Sequence, residues 1–194
     1  MTAQIAVAQT PEANDLLSSD PFALLVGMLL DQQVPMERAF TGPYVLAERL
    51  GSSDTLDPAV LTQLSEDEMV ATAAEPPAIH RFPKAMATRI QSLARAVCDD
   101  YDGDASRIWL EATDGRDCLK RLRALPGFGE QKAKIFLAML LKTGRLPHGM
   151  ADAQQVCDPY GEPGTFMSVA DVTGPDSLQR VREWKRAQKA AKAG

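Results

Sequence analysis

Two glycines and two lysines lie close together between positions 127 and 134, and this combination suits the binding of a phosphate group. Gly127 and Gly129 allow a tight turn whose backbone N–H groups are not shielded by side chains. The positive end of a following helix dipole and the ammonium groups of Lys132 and Lys134 would add attraction for an anion. Such contacts hold a nucleic-acid backbone without reading its bases. We therefore predict that Gly127, Phe128, Gly129, Lys132 and Lys134 contact DNA.

The residues on both sides of this turn have the apolar spacing of helices. Leu119, Leu122 and Leu125 precede it at three-residue intervals, Pro126 ends that run, and a second apolar face begins at Ala133. We predict helices at 117–125 and 130–143, which together make a helix-hairpin-helix element over 117–143. A helical hairpin with a purely structural role would show the same pattern, and this alternative remains open.

The charge of the chain is unevenly distributed. The formal net charge is −5, which argues against strong non-specific binding of nucleic acid. However, residues 115–145 contain eight basic and two acidic residues, and residues 180–194 contain six basic residues and one acid. This pattern favours one basic surface that faces phosphates, although solvated helix faces would explain it equally well.

The cysteine and histidine content limits the chemistry that the chain can perform. Three widely spaced cysteines and two distant histidines form no disulfide framework and no typical metal or cluster motif. We expect no metal and no cofactor. The first residues do not resemble a signal peptide, and no apolar run is long enough to span a membrane, so we expect a cytoplasmic protein.

The rest of the chain has helical patterns almost throughout, and we predict an all-α fold. Asp20 before Pro21 is typical of a helix start, and a second helix is expected from Pro35 to Gly51, interrupted or kinked at Pro43. Further signals predict a capping box at Ser65 and Glu68, a long helix from Pro83, a polar loop at 99–104, an irregular segment at 144–165 and a last helix at 176–192.

Taken together, the helix that begins at Asp20 and ends in Asp31-Gln32-Gln33 and the Leu-Pro-Gly-Phe-Gly hairpin resemble the helix-hairpin-helix DNA glycosylases, the superfamily of endonuclease III and 3-methyladenine DNA glycosylase. The resemblance covers about residues 14–152 and leaves 153–194 as an irregular segment with a basic C-terminal helix, packed on that domain or trailing from it. It implies a two-lobed all-α fold with DNA bound between the lobes. It also implies that Gln32 and Gln33 enter the duplex and fill the gap left by an extruded base.

The resemblance also indicates which catalytic groups are present. Gln131 stands where bifunctional members carry a nucleophilic lysine, and Lys132 follows one residue later, so we expect no lyase activity. The family's essential aspartate follows the hairpin, and Asp152 is the nearest candidate, a few residues late. A cap or loop role is the alternative for Asp152, and Asp31 is then the next candidate for the catalytic carboxylate. The cysteine count excludes the family's optional iron–sulfur cluster.

The predicted function is that of a monomeric, monofunctional DNA N-glycosylase acting on damaged double-stranded DNA. Two alternatives stay open: a DNA- or lesion-binding protein without catalysis, and a helical protein-interaction module. Trp109 and Tyr44 are candidate pocket residues, but core packing is the better interpretation of each.

Overall fold

The computed structural model describes residues 2–193, and this part of the chain is all-helical, without a strand. Eleven α-helices follow one another in it, with one 3₁₀ turn at Val169–Asp171 between the last two. The helices are α1 (Pro11–Ser19), α2 (Pro21–Leu30), α3 (Met36–Arg49), α4 (Pro58–Gln63), α5 (Glu66–Ala74), α6 (Pro83–Tyr101), α7 (Arg107–Leu110), α8 (Gly115–Ala124), α9 (Glu130–Lys142), α10 (Ala153–Val156) and α11 (Pro175–Ala193).

The predicted helix starts are confirmed where a local capping signal was present. One oxygen of Asp20 accepts the backbone N–H groups of Phe22 and Ala23, which satisfies the first donors of α2. Ser65 and Glu68 form the expected capping box at α5. Both helices of the predicted hairpin, α8 and α9, are also confirmed.

The alternative of two shorter helices divided at Pro43 is wrong, because α3 continues through this residue as one helix. The preceding residue is Gly42, which has no β-carbon to clash with the proline ring. Gly42 also packs closely on α2, where an added β-carbon would lie 2.6 Å from Leu30 Cδ1. Packing on α2 and the missing β-carbon therefore explain why the helix tolerates the proline.

Two further boundaries differ from the prediction. The polar loop expected at 99–104 begins later, because α6 extends to Tyr101 and ends at Asp102 and Gly103, both with positive φ. Helix α1 has no counterpart in the prediction. It is capped by Thr10 and buries Leu16 and Leu17.

The more extensive helix contacts fall within two groups. Helices α1 to α6 pack on one another, and α7 to α10 pack together with the 3₁₀ turn and α11. Both groups contribute to one buried core, which also includes Ile5 and Val7 near the start of the chain. The groups meet where α9 and α11 approach the turn between α2 and α3, and this turn is the setting of the candidate site.

Candidate functional site

Gly127 is required by the fold of the hairpin itself. Its φ is +81°, a conformation that glycine adopts without strain, and a β-carbon there would lie 2.4 Å from Leu29 Cδ1. The close approach brings the turn between α8 and α9 against the end of α2. This glycine therefore has a structural explanation whether or not the turn binds DNA.

Gly129 is placed differently, at the exposed start of α9. It is the N-cap residue, no side chain caps the helix there, and a β-carbon would meet no atom within 4 Å. The first N–H groups of α9 therefore have no side-chain acceptor, and the space in front of Gly129 is open. An anion could approach this end of the helix, where the dipole favours negative charge.

Phe128 contributes to the core instead of the surface. Its side chain is 3% exposed, and its ring meets that of Phe136 edge-on at 5.9 Å between centroids. Its N–H donates to the carbonyl of Leu125 at 3.1 Å and closes the turn. Phe128 was predicted to contact DNA, but in the structure its buried ring and its N–H stabilise the turn.

Lys132 points away from the turn and into the interior. Its Nζ donates to the carbonyl oxygens of Met28 at 2.8 Å and Leu29 at 2.9 Å, which belong to the last turn of α2. Burial lowers its pKa to about 8, although Asp31 opposes this shift. The ammonium group that was predicted to bind phosphate is therefore engaged with α2.

Lys134 remains at the hairpin, but its ammonium group lies near the carboxylate of Glu130, which partly neutralises its charge. Its Nζ lies 3.8 Å from Glu130, and Arg123 approaches the same carboxylate at 3.9 Å. Exposed basic side chains lie instead along one face of α8, at Arg116, Lys120 and Arg123. Their spacing of four and three residues aligns them on this face, leading towards the turn. The spacing of these three residues is visible in the sequence. Only the structure shows that they are exposed, whereas other basic residues of the hairpin, such as Lys132, are partly buried.

A cavity of about 480 Å³ lies beside the start of α9. It is bounded by the turn between α2 and α3, the first turns of α9, the segment around Tyr160 and Met167, and α11. The aromatic side chains that line it are Tyr160 and Trp184. Its polar lining comes from the turn between α2 and α3, from α9 and from α11: Asp31, Gln32, Gln33, Gln131, Lys132, Lys185 and Gln188.

Asp31 lies in this cavity at the end of α2, and among residues 2–191, whose side chains the structure describes, none forms a hydrogen bond with its carboxylate. Burial raises its pKa above the ordinary value, and the nearby Glu37 raises it further, whereas Lys185 and Lys132 lower it. The carboxylate is thus held near two ammonium groups without being directly bonded to either.

The two glutamines predicted to enter DNA, Gln32 and Gln33, have different environments in the structure. The side chain of Gln32 is held by two hydrogen bonds. Its Nε2 donates to the Leu29 carbonyl at 2.7 Å, and its Oε1 accepts from Arg89 at 2.9 Å. His80 bonds the backbone carbonyl of Gln32 at 2.8 Å. Gln33 is exposed and has a φ of +58°, which is unusual for a residue with a side chain. Of the pair, Gln33 is the one whose amide is exposed and makes no hydrogen bond among residues 2–191.

Asp152 lies elsewhere, at the start of α8. Its two carboxylate oxygens accept the N–H groups of Gly115 at 2.8 Å and Arg116 at 3.3 Å, so that Asp152 caps this helix together with Asp114. Asp152 does not line the cavity. The position agrees with the alternative interpretation of Asp152 as a capping residue and does not supply the geometry that a catalytic role needs.

Sequence reasoning did not identify the aromatic lining of the cavity. The Tyr160 hydroxyl accepts from Gln131 Nε2 at 2.8 Å, which fixes the amide at the predicted lysine position. Trp184 lies on the predicted last helix, and nothing in the sequence marked it as a residue of the site. Trp109 packs edge-on against Phe136 in the core, as expected, and Tyr44 bonds Glu48 at 3.0 Å outside the cavity.

Helix α11 is held over the cavity by an ion pair between Arg182 and Glu37 of α3. The other oxygen of Glu37, Oε2, is buried and has no hydrogen-bond partner within the described part of the chain. A cation–π contact between Arg180 and Phe166, at 3.6 Å from guanidinium carbon to ring centroid, attaches the same helix to the preceding segment.

Comparisons with known proteins identify no relative: no protein-family profile, no curated protein and no solved structure matches the chain. Within residues 2–193, no group of three metal-ligating side chains is assembled. No helix of this part has both the length and the apolar character needed to cross a membrane. The geometry of the hairpin and the cavity therefore carries the functional interpretation.

Proposed function

We propose that this chain is a DNA-binding protein of base-excision repair and acts as a monofunctional DNA N-glycosylase with a helix-hairpin-helix glycosylase fold. The observation that carries the proposal is the shared position of the turn and the cavity. Gly129 caps α9 at the open turn, and Gln131 and Lys132, in the first turn of the same helix, line the cavity. A duplex held at the turn would have a nucleotide within reach of the cavity.

The cavity has the size and the lining that an extruded base requires. Its volume of about 480 Å³ lies within the range of small-molecule sites, about 300–1,000 Å³. Flipped bases are held by stacking on aromatic rings and by hydrogen bonds to their edges. Trp184 and Tyr160 offer the rings, and Asp31 and Gln131 offer polar groups.

Gln33 is suited to support base extrusion. It lies on the turn between α2 and α3 beside the cavity, and its amide makes no hydrogen bond among residues 2–191, whose side chains the structure describes. A non-glycine residue with positive φ costs free energy, and such strain is often found at functional sites. In the proposed complex, the Gln33 amide occupies the gap in the duplex and meets the unpaired base.

One observation favours the alternative of a lesion-binding protein without catalysis. The carboxylate expected from the family resemblance, Asp152, is occupied in capping α8. Binding and extrusion of a base would remain in that case, and hydrolysis would be absent.

Replacement of Gly129 gives a sharp test of DNA binding. Both Asp and Asn are favoured N-cap residues and would meet open space at this position, so that neither should reduce stability. Only Asp adds negative charge beside the expected phosphate. We expect Gly129→Asp to weaken duplex binding more than about tenfold at moderate salt, measured by fluorescence anisotropy, and Gly129→Asn to change it much less. Equal affinities of the two variants would contradict the proposal.

Catalysis is tested with duplexes that each contain one damaged base. Release of the base leaves an abasic site, which alkali converts into a strand break. We expect breaks at one class of lesion after alkali and none without it, since the enzyme hydrolyses only the glycosidic bond. Preferential binding of a lesion without base release would instead support the non-catalytic alternative.

A further inference from the structure

Asp31 lies where several features disfavour a negative charge, although Lys185 and Lys132 oppose them. It ends α2, where the helix dipole is negative and disfavours a carboxylate, and the last turn of α2 contains no basic residue. Burial and Glu37 act in the same direction, as the raised pKa shows. None of the hydrogen bonds that normally compensate a carboxylate removed from water is present among residues 2–191, whose side chains the structure describes.

An arrangement that costs stability is common where a residue serves catalysis. Asp31 lines the cavity together with Gln131 and Trp184, so that a molecule occupying this space would lie beside its carboxyl group. The ammonium groups of Lys132 and Lys185 keep the carboxylate ionisable despite burial. Asp152, by contrast, has both oxygens bonded to backbone N–H groups.

We propose that Asp31 is the catalytic carboxylate of the cavity and acts on the sugar of the extruded nucleotide. This assignment rests on the proposed N-glycosylase function and names the residue that performs it. It replaces Asp152, which the sequence had offered for the role.

The reaction assigned to Asp31 is hydrolysis. As the bond between C1′ and the base nitrogen breaks, its electron pair leaves with the base, and the ionised carboxylate stabilises the positive charge that develops on the sugar. A water oxygen bonds to C1′, and one proton of this water passes to Asp31. Asp31 then releases this proton through solvent to the departing base, which regenerates the carboxylate. One water is consumed, and the free base and an abasic sugar are formed.

The test compares Asp31→Asn with Asp152→Asn on the lesion duplex that the wild type cleaves best. In single-turnover assays we expect Asp31→Asn to reduce base release at least about a hundredfold, because the amide carries no charge. Its affinity for the same duplex should stay within about threefold. Asp152→Asn should excise at the wild-type rate below its melting temperature, since Asp152 lies outside the cavity.

Stability provides a readout independent of activity. The folded-state pKa of Asp31 is raised, so its ionisation penalises folding above that pKa and not below the ordinary value of 3.8. Asp31→Asn should therefore raise the melting temperature at pH 7 and lose this advantage as the pH falls towards 3.8. A lower melting temperature at pH 7, or failure of both Asp31→Asn and Asp31→Ser to fold, would show a structural role and overturn the proposal.

The outcomes separate this inference from the proposed function. Wild-type excision that persists in Asp31→Asn would overturn the role of Asp31 and leave the glycosylase function intact. Absence of excision by the wild type on every lesion duplex would overturn the glycosylase function and the catalytic role together. If Asp31→Asn loses excision while the wild type and Asp152→Asn retain it, and if Asp31→Asn still binds DNA and melts at a higher temperature, the glycosylase function and the role of Asp31 are both supported.

Discussion

Gln131 and Lys132 are neighbours in α9 with different chemical capacities. Gln131 is bonded to Tyr160, and its amide cannot form a Schiff base with an abasic sugar. Lys132 has a pKa of about 8, so that about a tenth of it is neutral at pH 7, but its nitrogen is bonded to two carbonyls of α2. The pair therefore offers no free amine nucleophile.

We predict that borohydride traps no covalent complex between the protein and DNA containing an abasic site, at pH 7 or at pH 9. The trapped fraction is measured by denaturing gel electrophoresis. Trapping that increases with pH, with a midpoint near 8, would contradict this prediction and identify Lys132 as a nucleophile, because its neutral fraction rises over this range. Lys132→Met would then abolish the signal and provide the control.

The two aspartates illustrate what sequence reasoning achieves for single residues. Asp152 was chosen by its distance from the hairpin along the chain, and the fold uses it to cap α8. Asp31 was visible as the last residue of an apolar run, but its environment depends on α3, α9 and α11. Such an environment cannot be derived from neighbours in the sequence.

At the scale of the element, the exposed face of α8 is the best candidate for a phosphate-binding surface. Arg116, Lys120 and Arg123 follow one another along this face and are exposed. Arg123 alone of these three has a carboxylate within 4 Å, that of Glu130 at 3.9 Å, among the described residues. Helix α8 thus presents positive charge next to the open turn even though the chain is acidic overall.

We predict that Lys120→Ala weakens binding to all duplexes by a similar factor. If Lys120 neutralises one phosphate, the slope of log affinity against log salt should decrease in magnitude by about 0.9. Anisotropy titrations between 50 and 200 mM salt measure both effects, a range in which such slopes are well resolved. Arg95→Ala is the matched control, since Arg95 is equally exposed on α6. An equal change of slope in both variants would show that α8 has no special role.

Helix starts were predicted well because their signals are local. Asp20 with Pro21 and Ser65 with Glu68 act within one turn of their helix, and the structure shows both. The division into two helices at Pro43 was wrong, and the close packing of Gly42 on Leu30, a contact between different helices, is consistent with the continuous helix. Local chemistry thus predicts most boundaries, and tertiary contacts decide the exceptions.

At the scale of the whole molecule, the ion pair of Arg182 and Glu37 connects the two groups of helices. Glu37 is 15% exposed in its side chain, and its Oε2 already lacks a partner among the described residues. Loss of Arg182 would leave a largely buried carboxylate without its counter-charge. The pair therefore fixes α11, and with it Trp184, over the cavity.

We predict that Arg182→Met lowers the free energy of unfolding by about 1–3 kcal/mol, because a buried acceptor loses its partner. Urea denaturation measures this change. Glu37→Gln with Arg182→Met should cost less than the sum of the single variants, which identifies direct coupling. Additive effects would instead mean that the pair contributes nothing to the attachment of α11.

The cavity was beyond sequence prediction because its walls come from four distant parts of the chain, near residues 31, 131, 160 and 184. No periodicity or spacing rule relates these parts. The all-helical class and the hairpin, which depend on short-range patterns, were predicted.

Because these four segments meet only in the folded chain, occupancy of the cavity is thermodynamically linked to the unfolding equilibrium. A molecule that binds there and not to the unfolded chain shifts that equilibrium by mass action, by about 2.7 kcal/mol at a free concentration one hundred times its dissociation constant. Free nucleobases and their alkylated or oxidised derivatives can therefore be ranked by melting temperature alone. Such a ranking needs neither DNA nor turnover, and it would report on the preference of the cavity even in a variant that cannot cleave the glycosidic bond.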